Sequence, residues 1–280
     1  MGIESGGFDF QGKGALIIGA GQNIGRQIAL EFARRGARVA VADLNADGAR
    51  ETAGLITEAG GASVGIACDV GAEDSVRQAV AEAEAFLGPL DVLMNNAGIL
   101  HSGNPQDFPI AEWERMFQVN VFGAVRANAV VLPGMIARGS GYIVNTASFA
   151  GLYPYATNRI PYAASKAALI SMSENLAVYL EPLGIRVSCV CPGPTYTTSV
   201  NTMKIWSDKV VMRGPGSDLE VKSQEEVAGI LADGMCAGRI LIPTHPKGFE
   251  TVREHAASPD DFVRKTASEF ANGRSGLPGR

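Results

Sequence analysis

The stretch KGALIIGAGQNIGRQIALEFARRGARVAVAD, residues 13–43, consists of two short apolar runs around an amphipathic segment. KGALIIG and RVAVAD show no apolar–polar alternation, so each reads as a strand covered on both faces, the pattern of a buried parallel sheet. Between them, IGRQIALEFARRG repeats its apolar residues at helical spacing and closes on glycine, as helices often do. Strand, helix and strand in so short a span imply parallel strands joined by a right-handed crossover.

Working outward, the same kind of run recurs in SVGIACDV, LDVLMNNAG, GYIVNTAS, IRVSCVCPG and GRILIPT, which brings the strand count to seven. Helical patterns lie between them: GARETAGLITEAG, EDSVRQAVAEAEAFLG, the long IAEWERMFQVNVFGAVRANAVVLPGMIARG, and the stretch from Ile160 to Pro182. The chain therefore reads as α/β, a Rossmann-type doubly wound parallel sheet of seven strands with helices on both faces. No proline- or serine-rich linker and no repeat of about 20 to 50 residues divides it. Residues 1–246 are predicted to form one domain with a lid over about 197–222, followed by a helical extension and tail over 247–280.

Composition narrows the function. With 280 residues, 46% of them hydrophobic, a sizeable core is available. The net charge of -5, with acids and bases interspersed, offers no basic stripe, and no finger or RNA-reading motif occurs, so nucleic acid is not an expected partner. No apolar run is expected to span a bilayer; the start MGIESGGFDFQGKG lacks a basic-then-apolar leader, and Gly6 breaks the myristoylation pattern. Cys68, Cys189, Cys191 and Cys236 lack the paired spacing of a zinc site and are expected to be reduced packing residues of a cytoplasmic protein, with no metal.

In an open parallel sheet, ligands bind outside the carboxyl ends of the strands, so the residues closing each run carry the chemistry. The first run ends in GAGQNIG, Gly19 to Gly25, including Gly21, Asn23 and Ile24, and enters a helix directly. Such a turn lets backbone approach a pyrophosphate while the helix N-terminus supplies N–H groups and partial positive charge. Alone it fits a plain tight turn equally well. Asp43, with Leu44 after it, closes the second run 18 residues after Gly25, close to the separation at which an acid reaches an adenosine ribose. A carboxylate there accepts from both ribose hydroxyls and repels a 2′-phosphate, which points to NAD rather than NADP. Asp69-Val70 and Asn96-Ala97-Gly98 close the third and fourth runs, where an acid could meet the adenine amino group and a flat turn could underlie the adenosine; taken singly, each also fits a cap or a polar turn.

In order, GAGQNIG, Asp69-Val70, NNAG, VNVFG, NTASFAG, YAASK and PGPTYT resemble the motifs of the short-chain dehydrogenase/reductase family, single-domain subgroup, over roughly the first 200 residues. Tyr162 and Lys166 share one helix face at i and i+4, so the ammonium is expected to lower the phenol pKa from about 10 toward neutrality, where it can exchange a proton with an alcohol. Ser148 can donate to a substrate oxygen as negative charge develops there. The resemblance implies that Ser148 does so, that Lys166 also grips the nicotinamide ribose, and that Asn120 holds a water linking Lys166 to solvent, although a helical asparagine could instead mark a kink. After the sixth run, Pro192, Gly193 and Thr195 would pass under the nicotinamide and Thr197 would meet a phosphate. It further implies a homotetramer or homodimer, with which the apolar face of Ala168, Met172, Leu176 and Tyr179 is compatible, although that face could equally be internal.

Three departures from the family pattern stand out. Ile18 replaces a threonine whose hydroxyl commonly ties the glycine turn to the NNAG strand, Asn23 replaces the middle glycine, and FAGLYPYATNRIP looks one residue longer than usual. Its Tyr153 and Tyr155 could line a substrate pocket or simply pack. Tyr196, Met203 and Trp206 are further pocket candidates, and the apolar lid suits a bulky or aromatic secondary alcohol or ketone, whereas Lys204, Lys209 and Arg213 could meet an acidic one. Ser258-Pro259-Asp260-Asp261 is a helix start with serine as the cap, and a flexible tail is expected beyond that helix. His245 and His255 lie in this region without an assigned role. An NAD-binding sensor, an epimerase or dehydratase, and an acyl-carrier-protein reductase remain alternatives. About 80 residues after Thr197 are few for an epimerase's substrate domain, and Asp43 disfavours the phosphorylated cofactor of the last.

Overall fold

The computed structural model describes residues 7–198 and 203–277. Seven strands, β1 (Gly14–Ile18), β2 (Arg38–Asp43), β3 (Ser63–Ala67), β4 (Val92–Asn95), β5 (Gly141–Thr146), β6 (Ile185–Cys191) and β7 (Leu241–Pro243), form one sheet in the order β3-β2-β1-β4-β5-β6-β7. Every pairing is parallel. Strand order reverses between β1 and β4, where Ile18 pairs with Asn95, and the crevice beyond this pair is where such sheets bind ligands.

Alternate residues of each strand bury on opposite faces. Ala15, Ile17, Val39, Val41, Val92 and Met94 point into one core layer with Ile28 and Phe32 of α1 (Asn23–Arg34), Ile56 of α2 (Ala46–Glu58) and Leu231 of α7 (Gln224–Cys236). Leu16, Ile18, Ala40, Leu93 and Ile143 point the other way, against Val76 of α3 (Glu73–Leu87), Val131 of α5 (Phe122–Arg138) and Leu180 of α6 (Ile160–Leu180). Each of the larger side chains, removed from water, contributes about 1.5–3 kcal/mol, so the two layers fix the register and with it the level at which the strands end.

The long apolar pattern expected as one helix is two, α4 (Ile110–Asn120) and α5, broken at Val121 with φ -108 and ψ -60. The Asn120 side chain at the break bonds the Ile99 backbone, holding the end of α4 in place. By length and composition alone, 110–138 could cross a membrane, contrary to the sequence expectation. In the fold, however, Ala124, Ala127, Val131 and Met135 of α5 are core residues.

Helices α8 (Lys247–Ala257) and α9 (Pro259–Ala271) follow β7. Gly248 of α8 lies so close to the Phe149 ring that a Cβ there would sit 2.6 Å from it. The helix start at Ser258 forms, but its hydroxyl donates to Asp261 Oδ2 at 2.7 Å rather than capping a backbone N–H. The expected free tail is instead paired up to the last described residues. Gly214 N–H donates to Ser275 O and Gly216 N–H to Gly276 O, both at 2.9 Å, and Gly276 takes φ +62, which glycine adopts without strain.

Candidate active site

The glycine turn between β1 and α1 is held by close approach. Gly19 has φ +84, and a Cβ on Gly25 would fall 2.0 Å from Gly19 O. Asn23 has φ +51, the one positive value among the described non-glycine residues, and its Oδ1 accepts from Thr198 N–H (2.9 Å) and Oγ1 (2.8 Å). Ile24 packs against the core beneath. Gln22 at the N-cap makes no side-chain cap bond and the first turn carries no acid, so the α1 N–H groups and their partial positive charge face the crevice. Asp43, ending β2, accepts from Gly21 N–H through Oδ2 (2.8 Å) and from Asn45 N–H through Oδ1 (2.9 Å), with Leu44 beside it 75% exposed. An uncapped helix end, a turn with no room for side chains and an adjacent carboxylate fit an adenine dinucleotide.

The tie lost with Ile18 is supplied from another strand. Asn96 Nδ2 donates to Gly19 O at 2.7 Å and its Oδ1 accepts from Thr146 Oγ1 at 3.0 Å, which joins the ends of β1, β4 and β5. A Cβ on Gly19 would also lie 2.5 Å from Ala97 N, so NNAG and GAGQNIG are in direct contact. Val70 is buried. The Asp69 carboxylate is exposed and accepts from Gly71 N–H at 2.8 Å.

Behind these turns lies a buried amide network: Asn95 Nδ2 donates to Asn145 Oδ1 (2.9 Å) and Asn128 Oδ1 (3.1 Å), and Asn145 Nδ2 donates to Ser173 Oγ (2.9 Å). With its polar atoms paired, it locks β4, β5, α5 and α6 in one arrangement. On that frame Lys166, 3% exposed, donates from Nζ to Thr146 O at 2.7 Å and lies 5.7 Å from the Tyr162 ring centroid. Asn120 accepts from Ile99 N–H (2.8 Å) and donates to Ile99 O (3.0 Å) and Ser165 Oγ (2.9 Å). A Cβ on Gly98 would stand 3.3 Å from Lys166 Nζ and 3.4 Å from Asn120 Oδ1, so both face that glycine. Ser148 Oγ accepts from Ala150 N–H at 3.2 Å, leaving its own proton for a further acceptor.

The expected drop in the Tyr162 pKa is not what the chain's own groups produce. Burial pushes the phenol up, opposed by its hydrogen bond with Ser148 and by the Arg159 guanidinium. Burial likewise pushes Lys166 down to about 8, with the Cys189 and Cys191 thiols acting in the opposite sense. Desolvation penalises the charged form of both groups and is the largest cause of each shift.

Past β6, Pro192 O accepts from Phe149 N–H (3.0 Å), Gly193 N–H donates to Thr244 Oγ1 (2.9 Å) and Thr195 Oγ1 donates to Gly193 O (3.1 Å). Thr197 adjoins the residue bonded to Asn23, next to the glycine turn. The lid is then zipped onto the segment after β4: Ser102 pairs with Ile205, Ser102 N–H donates to Lys204 O (2.9 Å), and Trp206 N–H to Ser102 O (2.8 Å). His101 Nδ1 accepts from Lys204 N–H at 3.0 Å, and burial holds its pKa down, favouring the neutral ring that this bond requires. Residues 199–202 of the expected lid lie outside the described residues.

Among the pocket candidates, Tyr153 and Tyr155 are buried in a core cluster, with Tyr153 OH donating to Pro215 O at 3.2 Å. Tyr196 is 68% exposed. Met203 accepts from Ser102 Oγ at 3.2 Å, while Trp206 keeps a buried indole N–H without a partner among the described residues. His245 is buried, bonding Thr244 Oγ1 (3.0 Å) and Glu220 O (2.9 Å), and His255 packs on Phe262, so both serve the framework. Among the described residues no group of three His, Cys, Asp or Glu could hold a metal.

A profile described as short chain dehydrogenase matches residues 13–208. The chain belongs to the short-chain dehydrogenase/reductase family. This short-chain dehydrogenase/reductase is 41% identical to an uncharacterized oxidoreductase of Thermotoga maritima, over 83% of this chain and 96% of that one. It is 36% identical to 7alpha-hydroxysteroid dehydrogenase of Escherichia coli K12, over 69% and 74% of the two chains. A short chain dehydrogenase/reductase from Burkholderia phymatum, solved in complex with NAD, superposes with a TM-score of 0.77 at 26% identity over 98% of this chain and 99% of that one.

Three residues of this dehydrogenase site escaped the reading of the sequence. Thr146 supplies both the carbonyl that holds Lys166 and the hydroxyl that fixes Asn96, roles that depend on strand adjacency and leave no local signal. Arg26 donates to Gly21 O (2.7 Å) and to both oxygens of Glu51 (3.0 and 2.8 Å), bracing the turn. Arg159 stands one helical turn before Tyr162, a spacing that could have drawn notice.

Proposed function

We propose that the protein is an NAD(H)-dependent oxidoreductase that interconverts a secondary alcohol and a ketone, with Tyr162 as general acid and base. The observation that carries this reading is the convergence of Ser148, Tyr162 and a buried, backbone-held Lys166 beside the NNAG turn, on the same sheet edge as the glycine turn and Asp43. When bound, the nicotinamide supplies the hydride acceptor and a positive charge that favours the phenolate. In oxidation, Tyr162 takes the hydroxyl proton while Ser148 donates to the same substrate oxygen. Lys166, held by Thr146 O, keeps positive charge near the phenol, and Asn120 fixes the Ile99 backbone beside it.

Asp43 favours NAD over NADP by accepting from the ribose hydroxyls, and the NAD bound in the Burkholderia phymatum relative supports that choice. Relatives named for alcohol oxidation, such as the hydroxysteroid dehydrogenase, support a bulky or hydrophobic small-molecule substrate. The exposed apolar residues Phe122, Val125, Val178 and Tyr179 on α5 and α6 suit a homo-oligomer, a dimer or tetramer. The test is formation of reduced nicotinamide from NAD and a panel of aromatic, aliphatic and sterol secondary alcohols. Turnover should vanish in Tyr162→Phe while calorimetric NAD binding persists; turnover retained in that variant would overturn the role given to Tyr162.

A further inference from the structure

Arg159 occupies the N-cap of α6 and its main-chain oxygen accepts from Ala163 N–H at 2.9 Å, so its backbone is fixed one turn ahead of Tyr162. One terminal nitrogen donates to Arg213 O at 2.7 Å, a neutral lid carbonyl. The Nε is buried and has no acceptor among the described residues, and no carboxylate there forms an ion pair with the guanidinium. The guanidinium as a whole is half-buried, but its Nε is withdrawn from water without an acceptor, a donor that a ligand could satisfy. The helix sharpens the imbalance: α6 has no acid in its first turn and no side-chain cap, so its positive end adds to the same field.

Of the other cations considered for an acidic substrate, two are already engaged and the third is solvent-exposed. Lys204 Nζ stands 3.9 Å from Glu112, and Arg213 lies over the Phe270 ring at 4.4 Å while donating to Phe270 O. Lys209 is exposed to solvent. Arg159 alone combines a buried, open donor with a place beside the catalytic phenol, near enough to oppose the effect of burial on both Tyr162 and Tyr155.

We propose that Arg159 binds an oxyanion carried by the substrate, so that the protein's alcohol is a hydroxy acid whose carboxylate, or an equivalent oxyanion, pairs with the guanidinium while the carbinol faces Tyr162. This rests on the dehydrogenase reading above and narrows its substrate class. Nε is the unpaired donor, and Nη2 beside it, which gives one N–H to Arg213 O, has a second N–H left for the same carboxylate. The one-turn spacing between Arg159 and Tyr162 selects acids whose hydroxyl lies a few bonds from the carboxyl group.

The test uses the full chain loaded with NAD. Calorimetry compares short aliphatic and aromatic carboxylates with their amides, and turnover compares 2- and 3-hydroxy carboxylates with their methyl esters. The carboxylates should bind about 10- to 100-fold more tightly than the amides, the value of one charge-assisted contact. Arg159→Gln also loses the bond to Arg213 O and so shifts KM for acids and esters alike, but it should erase the preference itself, bringing the ratio of acid to ester KM to that of neutral ligands, and Arg159→Lys should restore part of it. Equal binding of acid and amide by the unaltered protein, or a preference that survives Arg159→Gln, overturns the proposal even if the variant is poorly folded, because the first comparison needs no variant. Charge-selective binding without turnover would leave the anion site standing and sink the dehydrogenase reading; turnover without charge preference would do the reverse.

Discussion

Gly21 and Asp43 meet at the glycine turn: the Gly21 N–H donates to Asp43 Oδ2 at 2.8 Å, and a Cβ on Gly21 would lie 2.9 Å from the carboxylate carbon. The loop thus orients the acid, and the acid steadies the loop. Arg26 grips the other side of Gly21 and is itself held by Glu51 and Thr52. Replacing Asp43 by alanine should weaken NAD about 10- to 100-fold and narrow its advantage over NADP. Adding Glu51→Gln should release Arg26 and raise NADP affinity further. Calorimetric titration of both cofactors checks this, and a double variant that binds NADP no better than Asp43→Ala would mean that Arg26 cannot reach a 2′-phosphate.

Gly25 is where the turn tolerates least. Its Cβ would stand 2.0 Å from Gly19 O and 2.5 Å from Asn96 Nδ2, both parts of the brace between β1 and β4. Gly25→Ala should cost about 1–3 kcal/mol by overpacking and abolish detectable NAD binding. Thermal unfolding and calorimetry read the two effects separately, and normal NAD affinity in a stable variant would contradict the geometry.

Strand-end residues were legible because buried parallel strands advertise themselves: RVAVAD is β2 to the residue, whereas the strand order, with its switch point between β1 and β4, was not read from the runs. Features that depend on distant contact were not. The break at Val121 falls inside a continuous apolar pattern, where only the kink reading of Asn120 hinted at it; the bond from that side chain to a loop 21 positions away left no signal. The pairing of the tail with Gly214 and Gly216 joins two glycine-bearing segments without periodicity. The Tyr162–Lys166 spacing was plain, yet the sign of the tyrosine shift depends on how much burial the fold imposes, which spacing does not encode.

The C-terminal segment should act through the lid. Arg213 stacks on Phe270 at 4.4 Å, Gly214 and Gly216 pair with the tail, and Tyr153 OH donates to Pro215 O at 3.2 Å. Deleting residues 274–280 removes two main-chain bonds from the lid and should raise substrate KM about tenfold, with NAD affinity and unfolding temperature nearly unchanged. Steady-state kinetics beside calorimetry checks this; unchanged KM would show that the lid closes without the tail.

Lys166 should weaken the cofactor-free protein at neutral pH. Its folded pKa of about 8 lies below the ordinary lysine value of 10.5, so between these two pH values the unfolded chain binds more protons than the folded one. Stability attributable to this group therefore rises as pH climbs from about 8 to 10.5, and below 8 the buried ammonium costs about 3 kcal/mol. Lys166→Met keeps the volume and removes the charge; it leaves Thr146 O without its donor, which returns about 1–3 kcal/mol of the gain. The variant should be inactive and at least as stable as the unaltered protein at pH 7, and that relative advantage should fall steadily toward pH 10. Denaturant unfolding at several pH values, without cofactor, measures the difference. A stability gap that does not change between pH 7 and 10 would mean that Lys166 titrates as an ordinary lysine, and the buried charge would have to be compensated by the protein itself.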